Sequence, residues 1–335
     1  MKNFRNYDDY LSRLESLKEE TTQITCTSTE EKCKDDKAYA SAFWDAMHTG
    51  MPQNALKKGS DGSGGYLVPD TFEENLVHAL TKKNLLRQLG TVLKIDQLMK
   101  IPRVKAEGSA EWMPEGEPVH FGDTTFGEIV FEAHKLAHRI LISDELLEDS
   151  SFDMEAYILQ MFEESFAKAE EKAFFTGDGN GKPLGIIHQA EVGKVVDNAK
   201  EIDFDDIIDL IYSVEESYRK NGVLIVSEDT ALALKKLRIY RGYPAWIPSL
   251  EEDVPDTLLG YPVYVSTKLP PLTAGNKPIL FGDFSYYWIG ECGKRSIKRL
   301  LERYADHGQV GYIGTERIDA KLVLPEAIKA LQIKA

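Results

Sequence analysis

FDMEAYILQMFEESFAKAEEKAFFTGDGNGKPLGI, residues 152–186, is the stretch that decides the fold. Its apolar residues recur at steps of three and four, which predicts one amphipathic helix over residues 152–175, capped by Ser150 or Ser151. At about 1.5 Å per residue this helix would be roughly 36 Å long. The apolar stripe consists of Ile158, Leu159, Met161, Phe162, Phe166, Ala169 and Ala173.

The opposite face of this helix is strongly charged. Its residues are Glu155, Glu163, Glu164, Glu170 and Glu171, with Lys168 and Lys172 among them. Such clusters are typical of a solvated helix face, so we expect all of these carboxylates to be exposed and none to form an acid/base pair.

The segment that follows the helix, Gly177–Gly181 with Lys182 and Pro183, superficially resembles a phosphate-binding loop. Its spacing is one residue short, and proline replaces the Ser or Thr that would hold magnesium. It also follows a helix, whereas a phosphate loop precedes one. The sequence therefore predicts a helix-terminating turn.

Two strand-like stretches precede the helix. Residues 98–104 are one arm, residues 126–142 are a longer second arm with alternating apolar positions, and residues 105–124 between them are rich in Glu, Gly and Pro. This pattern predicts an extended hairpin with a polar tip. A small enzyme core rarely needs such a projection, whereas an interlocking subunit does.

The rest of the chain is predicted to mix helices and strands. Residues 1–37 are a polar leader, and the glycine-rich residues 59–65 form a flexible break. Helices are predicted at residues 39–47, from an N-cap at Thr71, at residues 204–220 and at residues 229–237. Strands are predicted at residues 223–226, 261–265, 279–281 and 317–324.

Composition excludes several classes of protein. The chain has 335 residues and a formal net charge of −15, which disfavours wrapping nucleic acid through its phosphates. No run of about 18 apolar residues exists, so no membrane span is expected. The three cysteines, Cys26, Cys33 and Cys292, are too few and too scattered for a disulfide framework.

Residues that could carry chemistry are also interpreted as structural. His134 and His138 lie in a strand pattern, where four residues span roughly 13 Å, so they cannot share one metal ion. Cys292 has no histidine in its flanking segments. The aromatic groups around Tyr243 and Tyr287 favour core or interface packing over base stacking. We therefore predict no catalytic, cofactor-binding or metal-binding residues.

Seven segments, in this order, resemble the major capsid proteins of tailed bacteriophages that share the Hong Kong 97 fold. They include GSGGYLVPDTFEENLVHAL (62–80), IPRVKAEGSAEWMPEGEPV (101–119), KLAHRILISDELLEDSSFDMEAYI (135–158) and EEKAFFTGDGNGKPLGI (170–186). LLGYPVYVS (258–266), ILFGDFSYYWIG (279–290) and TERIDAKL (315–322) complete the set.

The resemblance implies an α+β, Hong Kong 97-type capsid fold. Its parts would be an N-terminal arm at residues 38–75, an extended hairpin called the E-loop at 96–138, and an axial domain at 188–298. A peripheral domain with the long spine helix would combine residues 76–95, 139–187 and 299–335. The leader at 1–37 would be a short scaffold segment, and whether scaffolding is instead a separate protein stays open.

The resemblance also implies a function, which is self-assembly into hexamers and pentamers of an icosahedral virion shell around double-stranded DNA, without sequence-specific DNA binding. Assembly would take place in the host bacterial cytoplasm, with a scaffolding protein, a portal and a maturation protease as partners. No enzyme activity, cofactor or membrane is implied. The candidate residues for contacts between subunits are Tyr66, Leu67, Val68, Trp112, Glu115, Tyr243 and Trp246.

Some members of this family form isopeptide bonds between an E-loop lysine and an asparagine of a neighbour's peripheral domain. Here residues 107–124 contain no lysine and residues 277–335 contain no asparagine, so we expect no covalent cross-linking. Two alternatives remain open, an encapsulin-type compartment shell and a soluble acidic enzyme with an unrecognised site. Formation of particles separates both shell proteins from the enzyme.

Overall fold

The computed structural model describes residues 38–48, 66–95, 98–106, 125–148, 153–197, 202–238, 244–249, 251, 254–300 and 302–334. The predicted leader at 1–37, the glycine-rich break at 59–65 and the hairpin tip lie outside these ranges.

The helices are α1 (residues 38–48), α2 (Asp70–Lys83), α3 (Leu85–Leu89), α4 (Asp144–Glu148), α5 (Met154–Thr176), α6 (Ile186–Gln189), α7 (Phe204–Ser213), α8 (Glu216–Arg219) and α9 (Glu228–Lys236). The strands are β1 (Tyr66–Leu67), β2 (Thr91–Ile95), β3 (Leu98–Ala106), β4 (Thr125–Glu132), β5 (His134–Ser143), β6 (Glu191–Val196), β7 (Val223–Ser227), β8 (Trp246–Ile247), β9 (Thr257–Leu258), β10 (Tyr261–Ser266), β11 (Ile279–Gly282), β12 (Tyr287–Cys292), β13 (Ser296–Leu300), β14 (Gln309–Leu322) and β15 (Ile328–Ile333). Short 3₁₀ turns lie at Phe284–Tyr286, Glu302–His307 and Pro325–Ala327.

The chain divides into two compact units. The first combines Met1–Leu76, Arg139–Leu159 and Ser296–Gly314. The second combines Val77–His138, Gln160–Arg295 and Thr315–Ala335. Helices α2 and α5 and strands β5 and β14 each contribute residues to both units.

The first unit gathers aromatic side chains around the N-terminal helix. Phe43, Phe72 and Tyr312 are fully buried, and the Tyr312 hydroxyl donates a hydrogen bond to the Met47 carbonyl oxygen at 2.9 Å. The Trp44 ring lies 5.2 Å from that of Phe72. This contact at the end of α1 ties the N-terminal helix to β14 and supplies the partner that a buried phenol needs.

A seven-stranded sheet is the centre of the second unit. Its order is β6-β15-β11-β7-β10-β9-β8, with β7 parallel to β10 and antiparallel to β11. Strand β7 is a continuous apolar run because both faces of the sheet are covered at its position. Helices α7 and α9 pack on one face, against a core that includes Leu224, Val226 and Phe281.

A second sheet pairs β12 with β2 in parallel and with β14 in antiparallel orientation. The core beside it contains Phe174, Phe175 and Tyr287. The Tyr287 hydroxyl donates a hydrogen bond to the Phe174 carbonyl oxygen at 3.2 Å. The end of the long helix α5 is thereby fixed against this sheet.

The predicted hairpin is present, but its second arm is shorter than expected. Strands β3 and β4 form a separate two-stranded sheet, in register from Leu98 opposite Glu132 to Ala106 opposite Thr125. The single arm expected over residues 126–142 is two strands that are separated at Ala133, and β5 pairs with β14 instead. The alternating pattern continues across this break, so the sequence does not reveal it.

Most predicted elements are confirmed, with differences at their ends. Helix α5 covers Met154–Thr176, close to the expected range. The N-cap expected at Thr71 is wrong, because α2 begins at Asp70. The single helix expected over residues 204–220 breaks at Val214, which is buried in an extended conformation and accepts hydrogen bonds from the Arg219 guanidinium.

Candidate functional site

The buried stripe of α5 contains a charged residue. Buried side chains recur at four-residue steps along the helix, and they are Met154, Ile158, Phe162, Phe166, Glu170 and Phe174. The expectation that Glu170 belongs to the solvated face is therefore wrong. It occupies a core position between Phe166 and Phe174, one turn from each.

The carboxylate of Glu170 is held by an arginine of α3. The Arg87 Nε and Nη2 atoms donate to the two Glu170 oxygens, each at 2.7 Å. Both side chains are fully buried. The Asn84 amide, at the N-cap of α3, donates a further hydrogen bond to Glu170 at 3.4 Å. This fork-to-fork geometry is the strongest ion pair that protein side chains make.

The pair extends into a cluster of five buried charges, all in the second unit. Arg87 Nη1 also donates to Glu291 at 2.6 Å. Arg295 donates to the same Glu291 oxygen at 3.0 Å and, through Nε, to Glu316 at 2.9 Å. The cluster thus links α3, α5, β12, the turn after β12, and β14. We call these five residues the buried charge cluster.

The charges of the buried charge cluster shift one another's pKa values. Burial opposes the charge of Arg87, but the carboxylates of Glu170 and Glu291 outweigh it and raise the Arg87 pKa. Burial likewise opposes ionisation of Glu291, but the Arg87 and Arg295 guanidiniums lower its pKa. Arg87, Glu291 and Arg295 are therefore held ionised by their partners, and the arrangement braces the elements rather than presenting a reactive group.

The hairpin of β3 and β4 combines a buried base with exposed side chains further along its strands. Its base is anchored, because Phe131 is buried in a small cluster with Ile95 and Cys292. Further out, Met99 is exposed and the Lys100–Glu128 ion pair lies in solvent. A two-stranded ribbon with little core of its own is marginally stable unless something else covers it.

The predicted contact residues lie in different settings. Tyr66 and Leu67 form β1, which pairs with Ile297 and Ser296 of β13. The next residue, Val68, is buried. Trp112, Glu115 and Tyr243 lie outside the described residues. The role of all these residues in subunit contacts stays a prediction.

Trp246 is used within its own chain. It is buried, and its indole Nε1 donates to Asp256 at 2.7 Å. The Ser249 amide and this indole together lower the pKa of Asp256. The neighbouring Ile247 on β8 is instead 58% exposed. Other exposed apolar side chains of the second unit include Tyr212 on α7, Leu232 on α9, Val195 on β6 and Val265 on β10, and Val254 in the loop before β9.

The other candidate residues take structural positions. His134 and His138 lie on β5 as predicted; His134 approaches Asp319 at 3.8 Å, and His138 contacts the Ser165 hydroxyl at 3.1 Å. Cys292 is buried at the end of β12. Within the described ranges, no group of three His, Cys, Asp or Glu side chains is placed to hold a metal ion. No helix in that part of the chain is long and apolar enough to cross a membrane.

The glycine-rich segment after α5 is a turn, as predicted. Gly177 follows the last helical residue, and its amide donates to the Ala173 carbonyl at 2.8 Å. Gly179 and Gly181 have positive φ values of 77° and 67°. The turn closes through a bridge between Asp178 and Leu184.

A mixed α+β chain with a separate two-stranded ribbon and a long helix that contributes residues to both units has the elements of a capsid-type subunit fold. A model of the Phage capsid family matches residues 64–333, and the chain belongs to this family. The fold is the Hong Kong 97 type that the resemblance implied.

Two curated relatives are phage proteins. The chain is 26% identical over 277 residues to the major capsid protein of Klebsiella oxytoca phage phiKO2, covering 78% of this chain and 61% of that protein. It is 31% identical over 140 residues to the major capsid protein of Escherichia phage T5, covering 38% of this chain and 30% of that protein. The chain therefore spans less than two thirds of these relatives' lengths.

Solved structures of phage-type capsids are also similar to this chain. The capsid of an empty GTA particle superposes with a TM-score of 0.66 at 27% identity, over 76% of this chain and 90% of that one. A chain from Microbacterium phage Oxtober96 superposes with a TM-score of 0.58 at 14% identity, over 75% and 91%. At that identity the second likeness shows the fold alone.

Proposed function

We propose that this chain is a major capsid protein, a subunit that assembles into the hexamers and pentamers of an icosahedral phage head. The observation that carries the proposal is the family match over residues 64–333, which includes the projecting hairpin. The phage relatives favour this function over the encapsulin-type shell.

The exposed hairpin supports this function physically. A closed shell needs heterologous contacts that repeat around rotation axes. Many moderate interfaces per subunit add up through multivalency. A ribbon that is anchored only at its base enlarges these interfaces without enlarging the core of the subunit, and its marginal stability fits a segment that a neighbour completes.

The proposed parts of the subunit follow the ranges implied by the sequence, with one refinement. The arm is residues 38–75, the E-loop 96–138, the axial part 188–298, and the rest of the described chain is peripheral. We add β15 to the axial part, because it pairs with both β6 and β11 in the seven-stranded sheet. The candidate contacts remain Tyr66, Leu67, Val68, Trp112, Glu115, Tyr243 and Trp246.

The remaining roles are part of the same proposal. The shell encloses double-stranded DNA without gripping a sequence, which a net charge of −15 supports. The subunit catalyses no reaction and needs no cofactor. Its partners are copies of itself, a scaffolding protein, a portal and a maturation protease, and it reaches the virion after assembly in the bacterial cytoplasm.

The test is negative-stain electron microscopy with light scattering on the purified chain, with and without its scaffolding partner. We expect closed shells or ring-shaped capsomers. A monodisperse monomer or dimer under every condition would contradict the proposal and favour the soluble enzyme. Denaturing gels of mature particles should show a band at or below 37.7 kDa and no ladder of higher mass, since no cross-link is expected.

A further inference from the structure

The buried charge cluster has an unequal number of charges. It contains two guanidiniums, Arg87 and Arg295, and three carboxylates, Glu170, Glu291 and Glu316. If all five groups were ionised, one net negative charge would lie in the core of the second unit. An uncompensated charge in that environment is costly, and a buried acid commonly avoids the cost by binding a proton.

Glu316 is the carboxylate with an unsatisfied oxygen. Its Oε2 accepts a hydrogen bond from Arg295, whereas its Oε1 is fully buried and has no hydrogen-bond partner among the residues that the structure describes. Glu170 is the neighbouring carboxyl group that raises the pKa of Glu316. Two ionised carboxylates cannot bond to each other, because both only accept. A proton on Glu316 would turn Oε1 into a donor toward Glu170, whose Oε1 has a free lone pair beside its single bond from Arg87.

The charged groups of the cluster that surround Glu316 come from α3, α5, β12 and the turn after β12. They are Arg87 on α3, Glu170 on α5, Glu291 on β12 and Arg295 in the turn after β12. Burial and, after it, the Glu170 carboxylate raise the pKa of Glu316, whereas Arg295 and Arg87 oppose the shift; together they place the pKa at about 8. The raised pKa of Glu316 agrees with the geometry, because Arg87 and Arg295 already bind the carboxylates of Glu170 and Glu291.

We propose that the buried charge cluster binds one proton at neutral pH, held by Glu316 on the side that faces Glu170, so that its five side chains are neutral in total. The shared proton completes the hydrogen bonds between α5 and β14. Its loss in alkaline solution leaves two carboxylates facing each other in the core. This inference concerns the fold of the subunit and holds whether or not the chain assembles.

The pH dependence follows from the direction of the shift. The pKa of Glu316 is higher in the folded chain than its ordinary value of 4.5. Its contribution to stability is therefore complete below pH 4.5 and is lost as the pH rises toward 8, because unfolding releases the proton. From pH 6 to pH 9 the unfolding equilibrium constant should rise roughly a hundredfold from this group alone.

The direct test is infrared spectroscopy of the full chain, which separates the C=O stretch of a protonated carboxyl group from carboxylate bands. We expect the wild type at pH 7 to show a protonated-carboxyl band that disappears above pH 8. Glu316→Gln, a neutral isostere that keeps a donor, should lack this band and should lose the hundredfold pH effect. Glu163→Gln is the control. Glu163 lies on α5, the helix that carries Glu170, but it pairs with Lys83 near the surface, so its substitution should leave the band unchanged.

The protonated-carboxyl band decides whether Glu316 holds the proton. A wild-type spectrum without a protonated-carboxyl band at pH 7 overturns the proposal, as does a band that persists unchanged in Glu316→Gln. If Glu316→Gln does not fold, Glu170→Gln decides, because it removes the excess carboxylate from the other side and should abolish the same band.

Discussion

Arg87 shows how much one side chain can brace this fold. It satisfies both oxygens of Glu170 and also reaches Glu291, which lies 204 positions away in the sequence. Only a guanidinium offers donors in this planar arrangement, so lysine could not replace it. The residue thereby connects α3, the long helix and a central strand through a single group.

Removing the Arg87 side chain should therefore lower the free energy of unfolding strongly. Arg87→Met leaves Glu170 buried without its cation, and we expect a loss of about 3–5 kcal/mol in the free energy of unfolding. Lys83→Met is the matched control: its pair with Glu163 spans 3.0 Å, but the lysine is 43% exposed, so about 1 kcal/mol or less should be lost. Urea denaturation of the unassembled chain measures both. Equal losses would show that burial of the Arg87 pair adds nothing.

The turn after α5 offers a second contrast between two glycines. A Cβ atom on Gly177 would lie 2.0 Å from the Pro183 carbonyl oxygen and 2.5 Å from that of Ala173. A Cβ on Gly181 would meet nothing within 4 Å, and only its φ of 67° disfavours a side chain.

We expect Gly181→Ala to cost about 1 kcal/mol, the usual penalty of a left-handed residue. Gly177→Ala should cost more than about 2 kcal/mol, because backbone atoms of the turn must move apart. Thermal unfolding monitored by circular dichroism compares the two variants. A larger shift in midpoint temperature for Gly181→Ala would contradict the steric argument.

At the scale of elements, hydrophobic periodicity predicts that a helix or a strand is present and which of the two it is. It does not predict which residues each element packs against. Helix α5 follows from its apolar spacing to within two residues. The buried position of Glu170 does not, because a glutamate among other glutamates is indistinguishable from a solvated one until Arg87 is brought to it. One signal was available: Glu170 lies four residues from both Phe166 and Phe174. The end of β4 at Glu132 is likewise invisible, since alternation continues into β5.

The hairpin of β3 and β4 should behave differently in the free subunit and in the shell. In unassembled chains we expect fast amide hydrogen exchange over residues 98–106 and 125–130, because a two-stranded ribbon opens locally at little cost. Strands β7 and β11, buried in the seven-stranded sheet, should exchange slowly. In assembled particles the hairpin should become protected. Hydrogen–deuterium exchange with mass spectrometry measures this; unchanged hairpin exchange on assembly would argue against its role as a subunit contact.

At the scale of the whole molecule, the order of segments along the sequence was sufficient for the fold class, because seven short patterns in a fixed order constrain topology far more than any one of them. Surfaces between copies are harder to predict. Trp246 was chosen as a contact for its aromatic character, yet its side chain is buried against its own Asp256. Burial within the subunit and burial between subunits favour the same residue types, so sequence patterns alone do not separate them.

This distinction makes Ile247 a better probe than Trp246 of contacts made by the proposed axial part. It neighbours Trp246 on the edge strand β8, is 58% exposed, and so contributes little to the subunit's own core. Ile247→Asp should leave the free energy of unfolding of the free chain within about 0.5 kcal/mol of the wild-type value. It should reduce the yield of particles at least roughly tenfold, because burying an isoleucine contributes about 1.5–3 kcal/mol to a contact and the shell repeats that contact in every copy.

Ser217→Asp places the same charge on an exposed polar position of α8 and serves as the control for added negative charge. Electron microscopy and sedimentation of both variants give the particle yield. If Ile247→Asp assembles as well as Ser217→Asp, the exposed face of β8 lies in solvent or over the lumen rather than against a neighbour. The axial contacts would then have to come from the other exposed apolar side chains, with Leu232 on α9 and Val265 on β10 as the next positions to change.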